Sequence, residues 1–323
     1  MKIRLTTIAL GVALACVGNA TLAGPTATTS QTGTGNTAYI EQDTVTPATT
    51  AHITQVGNNN IAGDPATLTP GILQKNIRLF DNQPTSITQT GDANQATLTQ
   101  SNGESAYSTH IAQTGNGNVA SLMEDHFWNS ETSIEQTGNS NVAHLMQEGN
   151  GGAGGWIFQN GERNIVNIHN ALLNDSTSLT RQTGSDNQID VMHSNSDHSG
   201  VHIEQTGVSN TAIASQDGAS FAAASAYQTG TGNFATITQN ATWDSFGWII
   251  QSGNSNVATV NQMLRNNEAG ITQTGDLNTA TILQTGEPTH MPVNTAYITQ
   301  VGNGFTASIS QAGSDNHAGI YQH

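Results

Sequence analysis

The sequence predicts an all-β fold: a β-solenoid of stacked strand-turn-strand units whose two parallel sheets face each other. Three observations predict it. First, a Gln-x-Gly head recurs at Gln31, Gln55, Gln89, Gln113, Gln136, Gln159, Gln182, Gln205, Gln228, Gln251, Gln273 and Gln300, and from Gln113 to Gln251 the step is 23 residues six times in succession. Second, the residues around each head follow Ile-x-Gln-x-Gly-x-x-Asn-x-Ala-x-Φ-x-Gln, with Φ apolar, and each half alternates as a half-buried strand does. Third, the 323 residues are only 35% hydrophobic and 9% charged. That is too little apolar surface for a conventional core of this length and too little charge for ordinary disorder. Gly, Thr, Asn, Gln, Ala and Ser fill the rest, a composition suited to amide-rich β-stacking.

The first element is expected to be an export signal over residues 1–23. Lys2 and Arg4 give a positive start, Ile8 to Val17 an apolar run, and Thr21-Leu22-Ala23 a small-residue cleavage site. The run is too short to span a membrane. The single cysteine, Cys16, lies inside it, so a chain starting at Gly24 has no cysteine and its fold does not depend on disulfides. Acylation of Cys16 is the alternative, but Ala13-Leu14-Ala15 fits such a signal poorly. Removing Lys2 and Arg4 leaves five cations, Lys75, Arg78, Arg163, Arg181 and Arg265, against 23 acids, a formal net charge of −18. Nucleic acids and anionic membranes are disfavoured as partners by that charge. Residues 24–30 read as a short leader.

Residues 31–323 then read as the repeat solenoid. The turn within each unit is supplied by Gly91 and Asn94, Gly115 and Asn118, Gly138 and Asn141, Gly161 and Asn164, Gly184 and Asn187, Gly207 and Asn210, Gly230 and Asn233, Gly253 and Asn256, and Gly275 and Asn278. Glycine takes positive φ freely, and asparagine bonds nearby backbone or adopts the left-handed conformation. One hairpin cannot bury its own face, but a stack can. Rungs about 4.8 Å apart place equivalent residues in columns, and twelve of them make a rod roughly 60 Å long. A buried glutamine left unpaired costs about 1–3 kcal/mol. In a column it meets its own copy above and below, and the ladder satisfies itself. The heads are therefore expected to form an amide ladder that enforces register.

Departures mark the remaining elements. Asn gives way to Phe305, the Ala column to Val166 and Ile189, and the closing Gln to Glu124, Asn170 and His193. Pro65, Pro70 and Pro84 suggest a loop bulging out near 63–84, and Pro288 and Pro292 a smaller one near 286–293. At the C-terminus Gln300, Gln311 and Gln322 follow at steps of 11, and the last rung is expected to be uncapped, which invites another copy.

On these residues the sequence resembles the curlin family, whose repeats read Ser-x5-Gln-x-Gly-x-x-Asn-x-Ala-x3-Gln. Gln136, Gly138, Asn141, Ala143 and Gln147 match, with Ser133 a loose match at the first position. The resemblance runs from about Gln31 to Gln322. It implies a bacterial extracellular subunit that polymerises with itself into curli amyloid fibres supporting biofilm matrix and adhesion. It also implies a nucleator subunit and a secretion pore in the outer membrane as partners. Twelve repeats exceed the family's usual five, and the leader before Gln31 is shorter than the family's.

No other chemistry emerges from the sequence, which does not read as an enzyme. Asp190, His193, Asp197, His198 and His202 form the densest group of metal-type ligands, but they fall mostly in an inter-strand loop, and no metal is expected. The glycines at 149–155 lack a phosphate-loop context, and no cofactor is expected. There is no catalytic pair or nucleophile motif. Trp128, Trp156, Trp243, Trp248 and Phe246 sit in or beside the second turns, as edge packing or adhesive contacts. The alternative function is a monomeric binding solenoid, an adhesin or an ice-binding protein. Thr88, Thr90, Thr272 and Thr274 would suit a threonine rank, but Ala112, Glu135, Glu204 and Val301 interrupt it.

Overall fold

A computed structural model describes residues 2–8, 25–46, 48–64, 66–78, 84–104, 108–149, 151–287 and 293–323, with backbone alone for 2–8. The chain is all-β and divides into two compact units, 1–163 and 164–323. Among the described residues no helix is long and apolar enough to cross a membrane.

In the first unit the head-bearing strands Thr26–Thr32, Thr50–Val56, Pro84–Thr90, Ser108–Asn116, Glu131–Asn139 and Gly154–Glu162 form one parallel sheet. The closing strands Thr37–Asp43, Ile72–Lys75, Gln95–Ser101, Val119–Asp125 and Val142–Glu148 form the other. Parallel strands require a crossover. Here the opposite sheet is that crossover: each strand returns to its own sheet one repeat later. Register follows the repeat residue for residue, so Ile111 lies beside Ile87 and Ile134, and Gln113 beside Gln89 and Gln136.

The second unit repeats the plan. Thr177–Ser185, Gly200–Val208, Ala223–Thr231, Phe246–Asn254, Asn267–Thr274, Asn294–Val301 and His317–Gln322 make its head sheet. Ile165–Ala171, Gln188–Ser194, Thr211–Asp217, Phe234–Trp243, Val257–Arg265, Thr279–Thr285 and Thr306–Ala312 make its closing sheet. A bulge between Asn240 and Trp243 is its one shift of register among the described pairings.

Alternation decides the core. Inward positions bury apolar columns such as Ile87, Ile111, Ile134 and Ile157 with Leu98, Leu122 and Leu145 in the first unit, and Ile249, Ile271 and Ile298 in the second. Each such side chain contributes about 1.5–3 kcal/mol on burial. The alanines opposite them, Ala96, Ala120 and Ala143, are buried too and keep the two sheets close.

The stretch 63–84, expected to loop out whole, does so only in part. A small antiparallel hairpin of Ile61–Asp64 with Thr69–Pro70 projects. The strand Ile72–Lys75 then re-enters the sheet, with Ile72 beside Ile40 and Leu98, and Gln74 beside Gln42 and Gln100. The extra residues sit inside a closing strand, between Ala62 and Ile72, so the strand is interrupted and resumed. Pro84 opens the next strand, a position where its missing N–H is tolerated.

Of the segment near 286–293, residues 288–292 lie outside the described ones, as do 79–83. Residues 1 and 9–24, most of the expected export signal, lie outside them as well. Residues 2–8 form a strand antiparallel to Thr37–Asp43.

Candidate functional site

Because register is exact, the head glutamines meet. In the first unit Gln31 Nε2 donates to Gln55 Oε1 at 2.6 Å, Gln55 to Gln89 at 2.8 Å, Gln89 to Gln113 at 2.9 Å, Gln113 to Gln136 at 2.8 Å and Gln136 to Gln159 at 2.8 Å. In the second, Gln182 donates to Gln205, Gln205 to Gln228, Gln228 to Gln251, Gln251 to Gln273, Gln273 to Gln300 and Gln300 to Gln322, all within 2.7–2.9 Å. The same nitrogen also donates to a carbonyl of the facing strand, as Gln113 does to Gln95 at 3.0 Å and Gln228 to Thr211 at 2.9 Å. The oxygen and both amide hydrogens of an interior member are thus engaged, which permits its full burial.

The turn residues form columns of their own. Gly91, Gly115, Gly138, Gly161, Gly184, Gly207, Gly230, Gly253 and Gly275 all have positive φ, between 108° and 131°. A Cβ on Gly115 would lie 1.9 Å from the Gly138 carbonyl oxygen, so stacking requires glycine on both conformational and steric grounds. The left-handed residue is not the asparagine but the one before it: Ala93, Gly117, Ser140, Arg163, Asp186, Ser209, Gly232, Ser255 and Leu277.

The asparagines are buried instead and bond between rungs. Asn118 Nδ2 donates to Gly138 O at 2.8 Å, and its Oδ1 accepts the backbone N–H of Asn141 at 3.0 Å. Asn94, Asn187, Asn210, Asn233 and Asn256 repeat both contacts, with Asn164 and Asn278 making them to Asn187 and Gly184 and to Phe305 and Gly302.

Two further columns escaped the sequence reading of the site. The closing glutamine of the template is itself a ladder: Gln42 to Gln74 to Gln100 in the first unit, and Gln216 to Gln239 to Gln262 to Gln284 to Gln311 in the second. Its signal was the final Gln of the template. The other column is serine in the second turn. The residue six places before Gln136 is Ser130, buried, and not Ser133. In the second unit Ser176 Oγ accepts the N–H of Ser199, and Ser199 Oγ that of Ala222.

The closing column is also where the template breaks. Glu124 is fully buried and accepts from Gln100 Nε2 at 2.8 Å, Thr132 Oγ1 at 2.8 Å and Thr109 Oγ1 at 3.0 Å. Burial pushes its carboxyl above the usual range against these three donors. Gln147, on the next rung, has both amide atoms buried without a hydrogen-bond partner. In the second unit Ser178 Oγ donates to Asn170 Oδ1 at 2.9 Å, and burial lowers His193 to about 4, leaving its imidazole neutral.

The remaining candidates disperse. His193 points into the core, Asp190 bonds Asn167 and Gln188 on an outer face, Asp197 and His198 pair in a turn, and His202 lies on the other sheet beside Glu204. Among the described residues no three or more His, Cys, Asp or Glu gather as a metal site. Trp243 and Trp128 are exposed at the second turns, and Arg265 caps the Trp243 ring at 4.9 Å. Trp156 and Trp248 lie within strands.

Residues 265–287 and 294–323 match the family model described as the curlin-associated repeat. The C-terminal part of the chain thus carries curlin-associated repeats. No curated protein matches it. The matched curlin repeats carry Gln273, Gly275, Asn278, Gln284, Gln300 and Gln311, and strand register places the heads from Gln182 to Gln251 in the same column of the second unit. The curlin repeat is a structural unit, not a catalytic one.

Proposed function

We propose that this curlin-repeat chain is a secreted structural subunit that self-assembles into extracellular curli-like amyloid fibres supporting biofilm matrix and adhesion. One observation carries the reading: within each unit the head glutamines are bonded to copies of themselves one rung away, so the element that holds a rung in place can also receive another. Among the described residues Thr306–Ala312 and His317–Gln322 pair along one edge only, which leaves backbone groups and the Gln311 and Gln322 side chains facing outward. Such an edge is a template for a further strand. Export through the signal at 1–23, passage through an outer-membrane pore and seeding on a nucleator subunit belong to the same proposal.

The test is incubation of the purified chain with an amyloid dye, followed by fibre diffraction. Dye-positive fibres with reflections near ~4.8 Å and ~10 Å are expected. A chain that stays monomeric and dye-negative at high concentration overturns the reading.

A further inference from the structure

The outward face of the second unit's head sheet carries a cluster of large apolar and aromatic side chains. On four neighbouring strands the outward rows are Ala223, Ser225 and Tyr227; Phe246, Trp248 and Ile250; Glu268, Gly270 and Thr272; Thr295, Tyr297 and Thr299. Phe246, Ile250 and Tyr297 are 49%, 41% and 38% exposed. Gly270 faces outward yet is buried, because the Trp248 indole lies across it. A Cβ at Gly270 would fall 2.4 Å from Trp248 Cε2 and Cζ2. One indole face therefore rests on the sheet and the other looks out. Tyr297 flanks it with ring centroids 5.6 Å apart and donates its hydroxyl to Glu268 Oε1 at 2.7 Å, which fixes the ring. Burial, then Glu268, pushes the Tyr297 hydroxyl up to about 12, so it remains a donor at any physiological pH.

A contiguous exposed apolar patch of this kind marks an interaction surface. Covering a strand glycine explains one face of the indole. It does not explain Phe246, Ile250 and Tyr297 left in solvent around it. Charge selects the occupant. These four strands carry no Lys or Arg, and Glu268 is their one charged residue. Polyanions are therefore disfavoured. A second copy is disfavoured as well, because it would bring Glu268 and a chain of net charge −16 against its like. The surface suits a neutral ligand with a flat apolar face and a hydroxylated edge, since aromatic rings supply large amphipathic contact area and hydroxyls and the Glu268 carboxylate line the rim.

We propose that the Trp248 platform binds neutral hexose polysaccharide, with pyranose rings lying on the indole and Tyr297. Their hydroxyl groups bond to Thr272, Thr299 and the free lone pairs of Glu268. The surface lies on the broad face of the sheet and not on a strand edge, so the inference does not depend on polymerisation.

The experiment is calorimetric titration of the dilute, unpolymerised full chain with a soluble six-ring β-linked gluco-oligosaccharide, and with polygalacturonate of similar length. Binding of the neutral oligomer that salt does not weaken is expected, with none of the polyanion. Trp248→Ala is expected to weaken it at least tenfold. Because uncovering Gly270 loosens the sheet, the double variant Ile250→Thr/Tyr297→Thr keeps the indole and installs the residue this face carries elsewhere. It too should lose at least tenfold, with circular dichroism unchanged. Absence of binding to the wild-type chain, equal binding of the polyanion, or wild-type affinity in both folded variants overturns the proposal. So does a lateral dimer in sedimentation that Trp248→Ala abolishes.

Discussion

On the head column, the donor left over from the ladder goes to a backbone carbonyl of the facing strand: Gln113 to Gln95, Gln136 to Val119, Gln228 to Thr211. On the closing column of the first unit, it meets hydroxyls instead: Gln74 meets Thr85, and Gln100 meets Thr109. A carbonyl is fixed in place and only accepts, so it demands a donor of glutamine's length. A hydroxyl rotates and can either donate or accept. Thr109 and Thr132 accordingly turn their hydrogens toward Glu124, and Ser178 donates to the shorter Asn170. Where carbonyls return beside the closing column, at Ala223, Phe246 and Glu268, the residues are again Gln239, Gln262 and Gln284. What stands beside a ladder decides how strictly the ladder keeps its amide.

The comparison breaks most visibly at Gln113. Gln113→Leu leaves a donor of Gln89 and Gln136 Oε1 buried without partners, and a loss of about 2–5 kcal/mol in urea unfolding is expected. A loss below ~1 kcal/mol would mean that the ladder adds nothing to apolar burial. Next in size is His193. Its folded value of about 4 lies below the ordinary 6.5, so the unfolded chain takes up a proton that the native chain refuses. The stability tied to this group is complete above pH 6.5 and is lost as pH falls toward 4, by roughly 3 kcal/mol at most. His193→Gln should abolish that part of the acid sensitivity, measured as the difference between wild-type and variant midpoints from pH 7 to pH 4.

Much of this was legible in the sequence. The 23-residue step and the alternation give strand identity, inward face and register together, since a slip of one residue would turn every glutamine outward. The ladder through the closing column was harder to read, because Glu124, Asn170 and His193 hide it and their hydroxyl partners lie a half-turn away in sequence. The 63–84 stretch misled because its extra residues fall inside a strand, so the resumed pattern of Ile72 and Gln74 looks like part of a loop. Asparagine was expected to bend the chain and instead cross-bonds rungs. Its neighbours Ala93 and Leu277, poor choices for positive φ by type, take the left-handed position because the stack fixes the turn. The Trp248 platform depends on which way an indole folds over Gly270, and no periodicity encodes that.

Glu124 sharpens the comparison at intermediate size. Its folded value is raised above 4.5 by burial, so the native chain holds a proton that the unfolded chain releases. Its contribution is complete below pH 4.5 and falls as pH rises through the folded value, opposite in sign to that of His193. Glu124→Gln restores the amide, and its nitrogen can donate to Gln147 Oε1, which has no partner. The variant should gain about 1–3 kcal/mol at pH 7 and close to nothing at pH 4, read from denaturation midpoints at the two values. A gain independent of pH would show that the carboxyl titrates alike in the folded and unfolded chains, with no shift from burial.

The smallest effect is expected outside the columns. Arg181 and Glu204 pair at 3.3 Å on the outward face, both side chains more than a third exposed. Water competes for both groups, salt screens them, and ordering two long side chains costs entropy, so Arg181→Ala should shift stability by less than about 0.5 kcal/mol. Repeating the measurement in 1 M salt should erase even that. A loss as large as that of Gln113→Leu would reverse the comparison: the stack would then be held by its outward charges, and the buried amides would specify register without stabilising it.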